Sequence, residues 1–355
     1  MTGVTVVTHF PSPYQVELFD AVARRLPGLA VFYLHRSHHT RHWTSKPPEH
    51  DAAYLCDGAA PMRAARQAVA SAPLVVFHYY QDGRARRLMR ARAGADKPWV
   101  FWGERTGFHQ PALGRLLRRV WLRPLHDSRA PIWGIGDWAV EGYRAEFGAG
   151  RAYANVPYFS NLAPFESRPA QYAPDPVVLY SGSLTRRKGV DLLARAFVAL
   201  ARENVRVRLK LMGRGELEPE LRRVLAPVAG RVEWTGFQPW EALAGIYASA
   251  QVLCVPSRHD GWGLVVPEGL AAGLPVIATD RMGAAIDLLR PGENGWRCAA
   301  GGETALARAL RDAANLTEPA WRRMSDAARA RVARHRLDDG ADRFVAAVNS
   351  ALGQP

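Results

Sequence analysis

Short, continuous runs of apolar residues recur along the chain, each followed by a stretch with the 3.6-residue spacing of an amphipathic helix. In the first half the runs fall at 4–8, 30–34, 74–80, 99–102 and 132–135, and helices are predicted over 15–25, about 63–70 and 137–147. Strands that are apolar throughout, rather than alternating, are those covered on both faces of a parallel sheet. Residues 35–57, rich in His, Trp and charge, show no period and read as a loop. Between about 163 and 175 the pattern lapses into Pro, Ser, Tyr and Phe, the signature of a junction. The alternation then restarts, with strands at 177–180, 205–212, 232–235 and 252–255 and helices at 188–202 and 240–248. Two successive α/β units predict two doubly wound, Rossmann-like domains facing a central cleft.

One stretch, VPSRHDGWGLVVPEGLAAGLPVIAT at 255–279, stands apart. A strand opens into a polar glycine loop, a helix starts at Val265 with Pro267 in its first turn, and a second strand follows Pro275. Gly261 and Gly263 let backbone N–H groups approach a ligand at the helix start, beside Trp262 and Leu264. Asp260 and Glu268, eight positions apart, flank that start. Asp260-Gly261 also reads as a plain turn and Glu268 as a carboxylate matched to the helix dipole. Two further features follow predicted strands: Gly182-Ser183 leading to Arg186-Arg187-Lys188, and Gly213-x-Gly215. On one parallel sheet all three loops lie at strand carboxyl ends, a convergence suited to a nucleotide diphosphate. In the first half His78 and Glu104 close two apolar strands and are candidate cleft residues, or hydrogen-bonded structural ones.

Charge adds a second theme. The net charge is +14, and residues 84–129 hold 12 Lys+Arg against 3 Asp+Glu. Within them PALGRLLRRVWLRP puts Leu113, Leu116, Leu117 and Val120 on one helical face, with Arg115, Arg118, Arg119 and Arg123 to the sides. This suits an anionic membrane surface, or a helix packed on its own domain. No nucleic-acid motif accompanies the arginines. The three scattered cysteines suit a reducing compartment, and no apolar run approaches the length of a spanning helix. A cytoplasmic protein, peripheral on the inner membrane face, is the expectation. The histidines at 9, 35, 38, 39, 42 and 50 lack acidic or cysteine partners at ligand spacing, so no metal site is expected.

SGSLTRRKGVDLL, LMGRGEL, VEWTGF and the 255–279 stretch together resemble the donor domain of family 4 retaining glycosyltransferases of the GT-B fold, the glycosyl transferases of group 1. The resemblance implies an N-terminal acceptor-binding domain over 1–165, a nucleotide-sugar domain over 166–335, and a crossover helix over 336–355 that packs back on the first. It assigns Lys188 to the diphosphate, Glu268 to the ribose hydroxyls and Asp260 to the donor sugar, where relatives usually carry Glu. Gly261, Trp262, Gly263, Leu264 and Val265 fall where backbone amides hold sugar and phosphate, alongside Gly182, Gly213 and Gly215. Ser183 stands where many relatives place Arg, leaving Arg187 or Arg186 to supply that charge. Glu104 takes the place of an acceptor-side His and, with His78, is a candidate to orient or deprotonate the acceptor. The implied reaction uses a nucleoside-diphosphate sugar as co-substrate, with no cofactor or metal, and a glycan or lipid-linked acceptor. Phosphorylase or epimerase chemistry, or sugar-nucleotide binding without catalysis, are the alternatives.

Overall fold

The computed structural model describes residues 3–37, 46–105, 112–203 and 205–354. The chain divides into two compact units, Met1–Asn161 with Arg336–Pro355, and Leu162–His335. The division thus falls at 161/162, and the C-terminal segment groups with the first unit.

The first unit contains seven parallel strands: β1 (Val4–Thr8), β2 (Ala30–Tyr33), β3 (Asp51–Tyr54), β4 (Leu74–Phe77), β5 (Trp99–Gly103), β6 (Ile132–Gly134) and β7 (Tyr153–Asn155). Their order is β3-β2-β1-β4-β5-β6-β7, so the winding reverses between β1 and β4. The strands β1, β4 and β5 are buried along their whole length, as their unbroken apolar sequence requires. The two edge strands carry no such run: Asp51–Tyr54 lies within the segment read as a loop, and Tyr153–Asn155 is only half-buried. Neither strand is fully buried at any position, so little of its sequence needs to be apolar. Helix Leu337–Ala351 lies along helix Pro13–Arg25, tied by Arg25 to Asp338 at 2.8 Å and to Asp342 at 2.5 Å. Its Phe344 ring meets Phe19, Trp102 and Trp133 at centroid distances of 6.2, 5.7 and 5.3 Å.

Two expectations change here. His50, in the segment read as a loop without acidic partners for its histidines, is buried, its Nδ1 lies 2.6 Å from Asp20 Oδ1, and its Nε2 is 3.0 Å from the Tyr33 hydroxyl. Its pKa is lowered by burial, against the opposing pull of Asp20. Residues 38, 39 and 42 lie outside the described segments. Arg118 does not lie to the side of its helix, Ala112–Trp121, but is turned inward, buried and 3.1 Å from Glu146.

The second unit has six parallel strands: β8 (Val177–Ser181), β9 (Arg208–Met212), β10 (Val232–Gly236), β11 (Val252–Val255), β12 (Val276–Thr279) and β13 (Gly295–Cys298). The order β10-β9-β8-β11-β12-β13 again reverses once, between β8 and β11. Leu193, Phe197 and Leu200 of helix Val190–Arg202 pack on Leu209, Leu211 and Val252 in its core. Glycine at 269 has its missing side chain aimed at Leu253, so helix Val265–Ala271 lies close against β11. That places the start of this helix beside the reversal.

Candidate functional site

In an open parallel sheet the loops leaving two neighbouring strands at a reversal diverge and leave a crevice at the strand carboxyl ends. In the second unit the crevice is bounded by residues 182–189 after β8 and 256–264 after β11. The two loops are held together by Gly189, whose φ of +71° is left-handed. A Cβ there would lie 1.9 Å from the Pro256 carbonyl oxygen. Only glycine permits this approach, and Arg258 N–H then donates to Arg187 O at 2.9 Å.

This contact brings the charged groups together. Lys188 Nζ donates to Asp260 Oδ2 at 2.5 Å, and the Arg187 guanidinium donates to His259 O at 3.1 Å, 3.9 Å from Asp260 Oδ1. Burial alone would raise the Asp260 pKa, but Lys188, then Arg187 and His259, hold it below the ordinary carboxylate value. Asp260 is therefore an anion paired with cations. Arg186 is turned away, to Glu220 at 3.0 Å. Of the two arginines, Arg187 is the one beside the pair. Asp191, buried, takes both arms of Arg258 at 2.6 and 2.7 Å and braces the loop that carries Asp260.

The amides of Gly261, Trp262, Gly263 and Leu264 donate to no backbone carbonyl among the described residues. These are the unpaired donors expected where a loop enters helix Val265–Ala271. The loop is pinned from outside by Asp260 N–H to Arg281 O at 2.9 Å and by Ala284 N–H to Trp262 O at 2.9 Å. Trp262 is buried, stacked on His335 at 5.7 Å, so its backbone and not its ring serves the crevice.

Glu268, one turn into the helix, is 6% exposed. Its Oε2 accepts the Tyr247 hydroxyl at 3.0 Å, and no cation pairs with it among the described residues. Burial pushes its pKa up to about 7, with the Tyr247 bond opposing. The arrangement is a buried carboxyl with acceptor capacity left for a hydroxylic ligand.

The glycine loop after β9 has a different part. Gly213 N–H donates to Gly236 O at 2.8 Å and Gly182 N–H to Met212 O at 3.0 Å, so neither amide is open to an anion. A Cβ on Gly213 would meet Gly182 O at 1.9 Å, and one on Gly215 would meet Leu184 O at 2.4 Å. These glycines let the loops after β8 and β9 stack. Ser183 is exposed at the mouth. Tyr247, Ser181, Gly189 and the Asp191–Arg258 pair were not picked out in the sequence. Gly189 directly after the basic triplet was the one legible signal; the others come from remote positions.

In the first unit His9, His78 and Glu104 follow the adjacent strands β1, β4 and β5. His78 Nδ1 donates to Trp102 O at 2.9 Å, so its Nε2 is unprotonated and accepts the Tyr158 hydroxyl at 3.0 Å. Burial lowers its pKa to about 4, against the Trp102 bond, and keeps it neutral. With both nitrogens engaged, His78 is poorly placed to take a proton. Glu104 is exposed at its strand end, and its carbonyl accepts the Tyr143 hydroxyl at 2.6 Å. His9 stacks on Tyr79 at 4.0 Å.

Two doubly wound, all-parallel sheets, each with a single reversal, define the GT-B class of α/β fold. Residues 175–315, which lie within the second unit, match the family model described as glycosyl transferases, group 1. Phosphatidyl-myo-inositol mannosyltransferase of Mycobacterium leprae is 31% identical over 244 residues, 66% of this chain and 63% of that protein. D-inositol 3-phosphate glycosyltransferase of Streptomyces coelicolor is 32% identical over 193 residues, 49% of this chain and 41% of that protein. The chain thus spans less than two thirds of the length of these curated relatives. Among solved structures, HepE of Anabaena in complex with UDP superposes with a TM-score of 0.75 at 15% identity, covering 98% of this chain and 100% of that one. The apo lipopolysaccharide outer core galactosyltransferase WaaB superposes with a TM-score of 0.74 at 16% identity, covering 98% and 99%.

Proposed function

We propose that this protein is a retaining glycosyltransferase of family 4 that moves a sugar from a nucleoside-diphosphate sugar to a hydroxyl of a lipid-linked or surface-polysaccharide acceptor. The observation that carries the reading is the crevice at the β8–β11 reversal, where the Lys188–Asp260 pair, four open amides and the buried Glu268 surround one helix start. An ammonium has three protons, and Asp260 takes one, leaving two for phosphate oxygens. Lys188, Arg187 and the amides of 261–264 would meet the charge that grows on the leaving diphosphate, so the reading assigns that role to the protein and to no metal. Glu268 would accept the ribose hydroxyls, and Asp260 would lie beside the sugar.

In the reaction the bond from the anomeric carbon to the diphosphate breaks while the acceptor oxygen bonds to that carbon on the same face. The acceptor proton passes to the departing phosphate oxygen. Glu104, exposed at its strand end, is the better of the two first-unit candidates to orient the acceptor. The acceptor class is supported by the names of relatives and neighbours, which include an inositol-lipid mannosyltransferase and a lipopolysaccharide galactosyltransferase.

The test is a thermal-shift screen of the full chain against nucleoside diphosphates and their sugars, repeated with Glu268→Ala. Stabilisation grows with the logarithm of ligand concentration over Kd. A shift with one nucleotide series, lost in Glu268→Ala, is expected. No shift with any nucleotide would overturn the donor assignment. Transfer with inversion, read from the anomeric proton coupling of the product, would overturn the retaining assignment.

A further inference from the structure

Helix Ala112–Trp121 is amphipathic in the wrong sense for a helix that packs on its own domain. Leu113, Leu116, Leu117 and Val120, spaced as one stripe along it, are 67%, 60%, 41% and 61% exposed. Its inward face carries Arg118, buried and 3.1 Å from Glu146. The apolar stripe therefore points away from the protein. Among the described residues these four are most of the large exposed hydrophobic side chains, the others being Phe237 and Trp240. A helix of ten residues is about 15 Å long, so the stripe is a contiguous patch and not a scatter of single residues.

The surroundings are cationic. Arg115, Arg119 and Arg123 are exposed on and just after the helix, Arg123 in an ion pair with Asp127 at 3.1 Å, and Arg87 and Arg90 are exposed on helix Gly83–Gly94. The two helices are joined by Arg86, whose guanidinium lies 4.8 Å from the Trp121 ring centroid. Leucines flanked by arginines and an interfacial tryptophan match the boundary between lipid headgroups and acyl chains, the arginine stems lying in the apolar layer with their charges at the phosphates.

We propose that this face docks on an anionic lipid bilayer, with Leu113, Leu116, Leu117 and Val120 inserted at the headgroup boundary and the arginines paired with lipid phosphates. A second copy of the chain fits less well. A stable dimer buries about 800 Å² per partner, more than four side chains on about three helical turns present, and a symmetric pairing would set the arginines against their own counterparts. A nucleic acid would pair with the arginines but leave the leucines in water. The inference rests on this helix and the arginines around it, not on the transferase reading.

The experiment is co-sedimentation of the full chain with vesicles of phosphatidylcholine alone or with about 30% phosphatidylglycerol. The wild type is expected to bind the anionic vesicles at least about tenfold more than the neutral ones. Replacing Leu113, Leu116, Leu117 and Val120 together by Gln should lower that binding at least about tenfold. Arg87→Glu with Arg119→Glu should act in the same direction. All six side chains are exposed already, so each variant should keep the wild-type melting temperature, which separates lost docking from lost fold. Wild-type binding to neither vesicle, or binding that the Gln variant retains, would overturn the proposal. So would a wild-type dimer in sedimentation velocity that the Gln variant dissolves, which would make a second copy the occupant.

Discussion

The Tyr247 hydroxyl stands 3.0 Å from Glu268 Oε2 and 3.0 Å from Ser181 Oγ, joining the helix 240–248, the end of β8 and the helix start after β11 in one buried contact. Its single proton serves the carboxyl, and Ser181 can donate back to it. Glu268 is thus aimed by a neutral partner rather than a cation, which leaves its charge free to respond to whatever enters the crevice.

Tyr247→Phe should remove that donor without changing the packing volume. Leaving a buried acceptor unpaired costs about 1–3 kcal/mol, so the melting temperature should fall by several degrees. The apparent pKa of Glu268 should rise further, since the bond it loses favoured the charged form. Titrating the carboxyl by NMR in both proteins checks this; an unchanged pKa would mean the hydroxyl does not set it.

The raised pKa of Glu268, about 7 against 4.5, has a definite sign. The folded state holds the proton more tightly than the unfolded chain, so the associated stability is complete below pH about 4.5 and is lost as pH rises through about 7. At about 1.4 kcal/mol per pKa unit the whole effect is of order 3 kcal/mol. Urea denaturation between pH 5 and 8 should show stability falling with pH, and Glu268→Gln should flatten that slope. Hydroxyl donors from a bound ribose favour the carboxylate, so nucleotide binding near pH 6.5 should release protons, measurable by calorimetry in buffers of different ionisation enthalpy.

Lys188→Met leaves Asp260 with Arg187 as its remaining cation, 3.9 Å away. Both partners of the lost pair are mostly buried, so a destabilisation of about 2–4 kcal/mol is expected. Adding Asp260→Asn should recover part of it, because no unpaired carboxylate then remains. Denaturation midpoints of the single and double variants form the cycle that tests this. Nucleotide affinity should stay low in the double variant, since the phosphate donor is still missing.

Gly189→Ala has no room and a strained, left-handed backbone: φ is +71°, and the new Cβ would sit 1.9 Å from Pro256 O. The loops after β8 and β11 would be pushed apart, at a cost of at least about 2 kcal/mol. Gly230→Ala, where a Cβ meets nothing within 4 Å, is the control and should be close to neutral. Comparable melting temperatures for the two variants would show that the close approach at 189 is not required.

Much of the molecule was written in the order of its apolar runs. Continuous runs such as Leu74–Phe77 and Val252–Val255 can only be buried on both faces, so parallel sheets and two α/β units followed from pattern alone. The stretch from Asp260 to Glu268 likewise carried its own signs, because a glycine loop feeding a helix with Pro in its first turn is local chemistry. The strands Asp51–Tyr54 and Tyr153–Asn155 at the edges of the first sheet were not legible, since neither is fully buried at any position and so neither needs an apolar run. Tertiary structure alone decided which charges meet. Lys188 chooses Asp260 while Arg186 beside it chooses Glu220, and Glu268 finds Tyr247 rather than a cation. It also decided that the leucines of 113–120 face outward, with Arg118 turned in to Glu146. Helical spacing fixes which residues share a face, but which face a domain covers depends on the neighbours that folding brings to it.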